Sequence, residues 1–374
     1  MKILDQGIVF DATQAPAHRR FCFFINALAL SDGRLLVSFR AGSSKDAPDE
    51  QIMMRLSDDG GQTWRTVFEG LDPVLDGVRG AWRVGYPTEV EPGRLLALFN
   101  WFDRSDPRRP LSNPETHGLL PSRLFVLESR DAGRTWSERR EVKSDTGEEI
   151  AINGPLIRLS DGGLALPYEG WKSYYAPGPI RVPSRLRVSY DGGWTFGPSI
   201  LVAQDPAGKV FYWDERISVE PGSGRLIALF WTYDYAGQRD LNAHIAWGAP
   251  DGKQWSYPAG TGLPGQHPTP LALGAGRVLA FYEHRRDPPA LRAVLSHDFG
   301  QTWERDGELT LYASAAGPES GAGQRRQFDE YWGDMLRWTF GHPWGCVLAD
   351  GTIFVAFYAG DAHSMGVRWA RIAV

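Results

Sequence analysis

The sequence predicts an all-β protein, a six-bladed β-propeller. Three observations predict it: a repeated eight-residue turn motif, a hairpin motif that occurs six times, and an N-terminal segment able to complete the last blade. Repeats of about 50 to 60 residues with four short strands each are typical of propeller blades. We therefore expect a single domain over residues 1–374.

The turn motif has the pattern Ser-x-Asp-x-Gly-x-Thr followed by an aromatic residue. Its copies are SDDGGQTW from Ser57, SRDAGRTW from Ser129, SYDGGWTF from Ser189 and SHDFGQTW from Ser296. The Asp of such a turn accepts backbone N–H groups, and the Gly supplies a positive φ. The motif is therefore structural, and we assign no catalysis to it. The long gap before the last copy predicts a degenerate one, GAPDGKQW from Gly248.

The hairpin motif consists of two β-rich runs around a tight turn such as DGR or PGR. The six copies begin at Ile25, Tyr86, Asn153, Glu215, His267 and His342. Only one strand, SMGVRWARIAV, follows the sixth copy, so the last blade lacks a strand. The N-terminal ILDQGIVFDA can supply it and close the ring by pairing the first and last strands. Such closure removes exposed sheet edges.

The composition excludes several function classes. A net charge of -5 gives no basic surface of the kind that binds nucleic acid. Two cysteines, Cys22 and Cys346, make neither a disulfide framework nor a zinc motif. No apolar run approaches the roughly 18 residues of a membrane span, and the N-terminus lacks the pattern of a signal peptide. We expect a soluble, cytoplasmic protein that binds carbohydrate and needs no metal or other cofactor.

The turn motif, repeated through a six-unit β chain, resembles the sialidase superfamily with its Asp-boxes. The resemblance covers essentially the whole chain and implies a catalytic Glu and a general-acid Asp. The best matches are Glu215, in WDERISVE, and Asp46, in the loop FRAGSSKDAPDEQ.

The sequence departs from true sialidases at the groups that recognise sialic acid. The arginine of the first inner strand is absent from Phe24-Ile25-Asn26, and the second arginine falls on Trp231. For the third, Arg285 lies near but does not align cleanly. His342 takes the place of the nucleophilic Tyr. We therefore expect an activity other than that of a sialidase.

The first residue of each inner strand should face the propeller axis. By a constant count from each hairpin turn, these residues are Phe24, Gly85, Asn153, Glu215, His267 and His342. Aromatic rings beside carboxylates and amides are typical of a sugar pocket. The residues that we expect to bind substrate there are Asn153, His267, Asp214, Trp101, Trp171, Trp231, Tyr233, Arg285 and Arg326. Arg326 belongs to an insertion over residues 312–340, which we expect to form a lid or substrate wall.

The leading functional hypothesis is an exo-acting glycoside hydrolase on a sugar other than sialic acid. Such an enzyme needs an acid for the leaving oxygen and a base or nucleophile. Asp46 is the expected acid, and Glu215 with His342 is the expected base or nucleophile pair.

Three alternatives stay open at this point. In a uronate lyase, a His would abstract the proton α to the carboxylate while an Arg neutralises it. A divalent metal on His267, His342 and Glu215 is a minor variant, since no ligand spacing supports it. A non-catalytic glycan-binding propeller would keep the aromatic rim without needing the acids.

Overall fold

The structure is a computed structural model that describes residues 1–285, 288–314 and 327–374, without the side chains of Asp329, Tyr331 and Trp332. The predicted substrate-binding residue Arg326 and much of the predicted lid lie outside the described residues.

Strands dominate the described chain, as the sequence predicted. The first nine are β1 (Lys2–Phe10), β2 (Phe21–Ala29), β3 (Leu35–Gly42), β4 (Gln51–Ser57), β5 (Arg65–Phe68), β6 (Val74–Leu75), β7 (Val78–Glu91), β8 (Arg94–Asp103) and β9 (Ser122–Ser129). The next nine are β10 (Arg140–Val142), β11 (Glu149–Ala151), β12 (Ile157–Arg158), β13 (Leu164–Trp171), β14 (Ser184–Ser189), β15 (Ile200–Ala203), β16 (Val210–Val219), β17 (Leu226–Asp234) and β18 (Arg239–Asp240). The last nine are β19 (His244–Gly248), β20 (Ala259–Gly260), β21 (Gln266–Gly274), β22 (Arg277–His284), β23 (Ala290–Ser296), β24 (Leu309–Ala313), β25 (Phe340–Val347), β26 (Ile353–Gly360) and β27 (Met365–Ala373).

Helical structure is confined to short segments. Single 3-10 turns lie at Ala12–Gln14, Ala17–Arg19 and Arg305–Gly307, and one α-helix, α1 (Phe328–Met335), falls in the predicted insertion. In the described ranges, no helix is long and apolar enough to cross a membrane.

Six units of strands follow one another along the chain, which confirms the repeat count. The sheets contain, in turn, β2 to β5, β6 to β10, β11 to β15, β16 to β20, β21 to β24, and β25 to β27. The last and first of these units share one sheet, because β27 pairs in parallel with β2 through Met365 and Phe21. The N-terminal strand β1 pairs with β27. The predicted pairing of the first and last strands is therefore confirmed.

The first Asp-box shows why the turn motif repeats. Asp59 accepts hydrogen bonds from the N–H of Thr63 at 2.9 Å and from its hydroxyl at 2.6 Å. Ser57 accepts the N–H of Gly61, which has a φ of 101°, and Trp64 Nε1 donates to the carbonyl of Gly61 at 2.8 Å. One aspartate thus closes the turn while the indole packs beneath it, so the motif is structural, as predicted.

The degenerate copy keeps the same indole bond. Trp255 Nε1 donates to the carbonyl of Gly252 at 2.8 Å, and Gly252 has a φ of 70°. This turn joins β19 to β20, just as the first box joins β4 to β5. All five turns connect the last two strands of a unit.

The chain divides into two compact units of contacts. The N-terminal unit comprises residues 3–156, 171–180 and 344–374, and the C-terminal unit comprises residues 1–2, 157–170 and 181–343. Each has apolar cores of its own, around Phe39 and Phe99 in the first and around Ala228 and Ile227 in the second. A single domain over residues 1–374 stays a prediction.

Candidate functional site

A left-handed backbone marks the same place in four repeats. The φ angle is positive at Phe24 (52°), Asp214 (50°), His267 (44°) and His342 (49°). At the first three, the register of β2, β16 and β21 with its partner strand shifts. Residues other than Gly rarely adopt this conformation, and bulges of this kind re-aim side chains beside functional sites. Each of these strands therefore turns one side chain out of the regular pleat.

The sequence count is wrong by one residue in the fourth unit. It placed Glu215 at the turned position, whereas the residue with positive φ is Asp214. The cause is the hairpin turn at residues 220–225, which is one residue longer than the turn at 30–34 in the first unit. A count back from the turn therefore falls one residue short of the bulge.

Three of the turned residues lie in the C-terminal unit and keep a little contact with solvent. Asp214, His267 and His342 are 7%, 5% and 8% exposed. Arg216 and Glu283 contact them, Arg285 contacts Glu283, and all three are at most 1% exposed. A nearly buried layer of one carboxylate and two imidazoles therefore rests on a fully buried charged layer. We call these six residues the histidine cluster.

Glu283 fixes the orientation of His267. His267 Nδ1 lies 2.8 Å from Glu283 Oε2. An ionised carboxylate only accepts hydrogen bonds, so Nδ1 carries the proton and donates it. The proton-accepting atom is then Nε2, which lies 3.7 Å from Asp214 Oδ2. This arrangement presents a basic nitrogen beside a carboxylate.

Glu283 is held as a carboxylate although it is fully buried. Burial raises its pKa, but the Arg285 guanidinium, His267 and the backbone N–H of His342 outweigh burial and lower the pKa to about 2. The His342 N–H donates to Glu283 Oε1 at 2.6 Å. A Cβ at Gly341 would collide with the Glu283 carboxylate. The residue before His342 must therefore be glycine for this contact to form.

Arg216 fixes the imidazole of His342 with its proton on the other ring nitrogen. Its guanidinium lies 3.0 Å from His342 Nδ1, 3.2 Å from Asp214 Oδ2 and 2.7 Å from Thr269 Oγ1. Arginine can only donate, so His342 Nδ1 accepts and its proton sits on Nε2. In this arrangement His342 offers an N–H donor rather than a base.

Glu215 has the environment of a neutral acid. It is 1% exposed, and neither carboxyl oxygen meets hydrogen-bond geometry with a partner among the described residues. Burial and the nearby Glu169 raise its pKa well above the ordinary value, against a smaller opposing effect of the Ser184 hydroxyl. A nucleophile must be charged and must reach the substrate. The catalytic role of Glu215 stays a prediction, and its surroundings do not favour it.

Aromatic residues expected in the substrate pocket lie beside the cluster. The Trp231 ring centroid is 4.7 Å from that of His267, and Trp231 Nε1 donates to Asp240 at 2.9 Å. The Arg285 guanidinium lies 4.1 Å over the ring of Trp338, whose centroid is 6.0 Å from His267.

The described end of the insertion packs against the same unit. Phe328 of α1 stacks on Trp213 at 5.5 Å and lies 6.0 Å from Tyr233, which is fully buried. Tyr233 therefore belongs to the packing beneath α1. The role of the insertion as a lid stays a prediction.

The expected acid Asp46 lies in the N-terminal unit, in an ion-pair network. Arg83 Nη1 is 2.6 Å from Asp46 Oδ1, and Arg104 donates to the same oxygen. Glu50 joins through Arg83 at 3.0 Å and Arg40 at 3.2 Å. Proton transfer from Asp46 would first have to break both of its ion pairs. Its role as the acid stays a prediction.

Sequence reasoning missed both arginines beside Asp46. In β7 the register shifts between Trp82 and Val84, which puts the irregularity at Arg83 and not at the expected Gly85. Arg104 follows the end of β8 and carried no pattern that marked it.

The remaining predicted residues of the N-terminal unit are mostly packed. Trp101 is 3% exposed, lies against Gly80 and donates from Nε1 to the carbonyl of Pro73 at 2.9 Å. Trp171 is 4% exposed. Asn153 precedes β12, and its Nδ2 is buried without a hydrogen-bond partner in the described part. Trp101 thus has a structural role, whereas Asn153 keeps an unused donor.

Metal binding finds no ready site in the structure. Within residues 1–285, 288–314 and 327–374, no group of three or more His, Cys, Asp or Glu side chains has a metal-binding arrangement.

Comparison with known proteins identifies the family. Residues 33–355 match the BNR repeat-like domain. A protein of unknown function from Dyadobacter fermentans shares the fold with a TM-score of 0.73 and 17% identity over 99% of this chain and 98% of that one. The Hadza microbial sialidase Hz136 shares the fold with a TM-score of 0.67 and 15% identity, over 99% of this chain and 68% of that one. The intramolecular trans-sialidase of Ruminococcus gnavus shares the fold with a TM-score of 0.66 and 12% identity, over 100% of this chain and 98% of that one. No protein of curated function matches the sequence.

These matches confirm the resemblance inferred from the Asp-boxes. The family match covers most of the chain, and the structural similarity extends over nearly all of it. The fold is that of the sialidase-type propellers. The chain belongs to the BNR repeat-like family.

Proposed function

We propose that the protein is a glycoside hydrolase acting on a sugar other than sialic acid, with its reaction centre in the histidine cluster. The observation that carries the proposal is the hydrogen bond from His267 Nδ1 to Glu283, which leaves Nε2 beside Asp214. The sialidases that share the fold support a glycan as the substrate.

His267 and Asp214 divide the chemistry. A glycosidase needs one group that transfers a proton and one carboxylate near the anomeric carbon. His267 in its imidazolium form donates the Nε2 proton to the leaving glycosidic oxygen and returns to the neutral ring, which Glu283 holds with its proton on Nδ1, as carboxylates do in other carboxylate–imidazole pairs. Asp214 supplies the carboxylate, acting on water or on the sugar. His342, held by Arg216, orients substrate as a donor.

A sugar other than sialic acid fits the residues at the clamp positions. Phe24 stands at the turned position of the first unit, where its ring packs under the Arg40 guanidinium at 4.7 Å. The Trp231 indole is bound to Asp240. Aromatic side chains therefore occupy two positions where the resemblance implies arginine, and neither pairs with a carboxylate of the substrate.

The test is product analysis with matched variants. The protein is incubated with a panel of natural glycans, uronate-containing ones included, and the products are weighed by mass spectrometry. Products that have together gained one water identify hydrolysis. Asp214→Asn and His267→Gln should each lower kcat by about 100-fold or more, the usual range for acid–base groups. His297→Gln, at an exposed histidine paired with Glu304, should leave kcat unchanged.

Two further variants distinguish a reaction centre at His267 and Asp214 from the catalytic residues that the family resemblance implies. Glu215→Gln and Asp46→Asn test the residues that the family resemblance named as catalytic. If either abolishes turnover while His267→Gln keeps wild-type kcat, the centre proposed here is wrong.

A uronate lyase is the second candidate, because a carboxylate-oriented imidazole lies beside the buried Arg216 and Arg285. The same mass measurement distinguishes it, since one lyase product carries an unsaturated uronate and no water is added.

A further inference from the structure

The N-terminal unit contains a groove that the proposed function does not use. It has a volume of about 490 Å³ and lies among β4, β5 and the 3-10 turns that follow β1. This volume is within the range of small-molecule sites, about 300–1,000 Å³. Phe10, Ala15 and Met53 line its apolar side, and its polar side carries the cations Arg19 and Arg55 together with the carboxylates Asp11 and Glu69. The groove therefore combines an apolar wall with charges of both signs, and its affinity depends on which of them are already paired.

Arg55 has no anionic partner within the described residues. Its Nη2 donates to the carbonyl of Trp64 at 2.6 Å, and the guanidinium lies 5.7 Å over the ring of Phe10. Its Nε is buried without a hydrogen-bond partner there. Burial lowers the pKa of Arg55, and no neighbouring carboxylate offsets this. Half-burying a cation without a counter-charge is unfavourable, and an anion in the groove would relieve it.

Arg19, the second cation, also makes no ion pair within 4 Å in the described part of the chain. It donates to the carbonyls of Asp49 at 3.1 Å and His18 at 2.7 Å. Burial lowers its pKa, while Asp49 and Glu69 only partly compensate. The carboxylate of Asp11, which also lines the groove, is engaged by the N–H and hydroxyl of Thr13.

Other buried arginines of this unit behave differently. Arg40, Arg83 and Arg104 all pair with Glu50 or Asp46. Unlike these three, Arg19 and Arg55 make no ion pair with a carboxylate among the described residues.

We infer that this groove binds a small organic anion, whose carboxylate or phosphate contacts Arg55 and Arg19 while its body packs on Phe10 and Met53. The planar guanidinium matches carboxylate and phosphate oxygens in pairs, which gives both affinity and orientation. The inference concerns a second site and is independent of the proposed hydrolase activity.

Calorimetric titration of the full chain tests the inference. The probes are glucuronate for a carboxylate, glucose 6-phosphate for a phosphate, and glucose as their neutral counterpart. We expect at least one anion to bind about tenfold or more tightly than glucose, and to bind more weakly as salt rises. The anion that binds more tightly identifies which oxyanion the groove selects.

Variants assign any binding to the groove. Arg55→Met and Arg19→Met should each weaken binding about tenfold or more, while Arg371→Met, at a surface arginine paired with Asp350, should not. Thermal unfolding verifies that each variant is folded. Equal binding of glucose and both anions would overturn the inference, as would undiminished anion binding by folded Arg55→Met.

Discussion

Replacing Glu283 by glutamine tests whether the buried charged layer is held as the geometry indicates. The substitution keeps the volume and one acceptor oxygen but removes the charge that pairs with Arg285 and accepts the Nδ1 proton of His267. The pKa of the Glu283 carboxyl is about 2 in the folded protein, whereas the ordinary value, which applies to the unfolded chain, is 4.5. The corresponding free energy is about 3 kcal/mol, at about 1.4 kcal/mol per tenfold change in proton affinity. This is comparable with the roughly 3–5 kcal/mol for breaking a buried ion pair.

The sign of the effect follows from the lowered pKa. Stability from this carboxylate is fully present above pH 4.5 and is lost as the pH falls through about 2. Glu283→Gln should therefore lower the free energy of unfolding by about 3 kcal/mol at neutral pH, with the deficit shrinking between pH 4.5 and 2. Urea unfolding followed by tryptophan fluorescence measures this, with Glu304→Gln as an exposed control. A deficit under about 1 kcal/mol at neutral pH, or one that does not change with pH, would refute the reasoning.

Three further predictions concern single residues. Gly341→Ala places a Cβ against the Glu283 carboxylate and should lower stability by about 1–3 kcal/mol and kcat by about tenfold or more. Gly333→Ala, with open space around it, should change neither quantity. Urea unfolding measures the stability, and turnover assays measure kcat. The raised pKa of Glu215 makes wild-type stability fall as the pH rises above 4.5. Glu215→Gln should therefore unfold at a higher urea concentration than wild type at pH 8. A lower unfolding midpoint for the variant would contradict the assignment of Glu215 as a neutral acid. Asp59→Ala removes the carboxylate that closes the first Asp-box and should lower the melting temperature without changing kcat, measured beside Asp58→Ala, which loses only a surface ion pair.

The repeats could be predicted because their signals are local. An Asp-box is closed by residues within eight positions of each other, so its pattern survives in the sequence even where, as at Trp255, half of it is lost. The partner of the last strand could be predicted because an incomplete unit at one end matched a spare strand at the other.

The histidine cluster was only partly predictable. His267 and His342 were found by counting from the hairpin turns, but the longer turn of the fourth unit put the catalytic role on Glu215 and left Asp214 as a substrate-binding residue. The pairing of His267 with Glu283 joins residues 16 positions apart on opposite strands of a bulged hairpin. A bulge is set by the backbone of both strands, and it leaves no residue pattern from which these pairings can be read.

The parallel contact of β27 with β2, and the seat of β1 beside β27, carry a consequence for biosynthesis. The ribosome makes β1 long before it makes β27, the strand with which β1 pairs. Until β27 emerges, β1 and β2 present unpaired backbone edges, the kind of surface that recruits other chains. Cells making this protein should therefore gain from slow initiation or from chaperones that cover its first two strands.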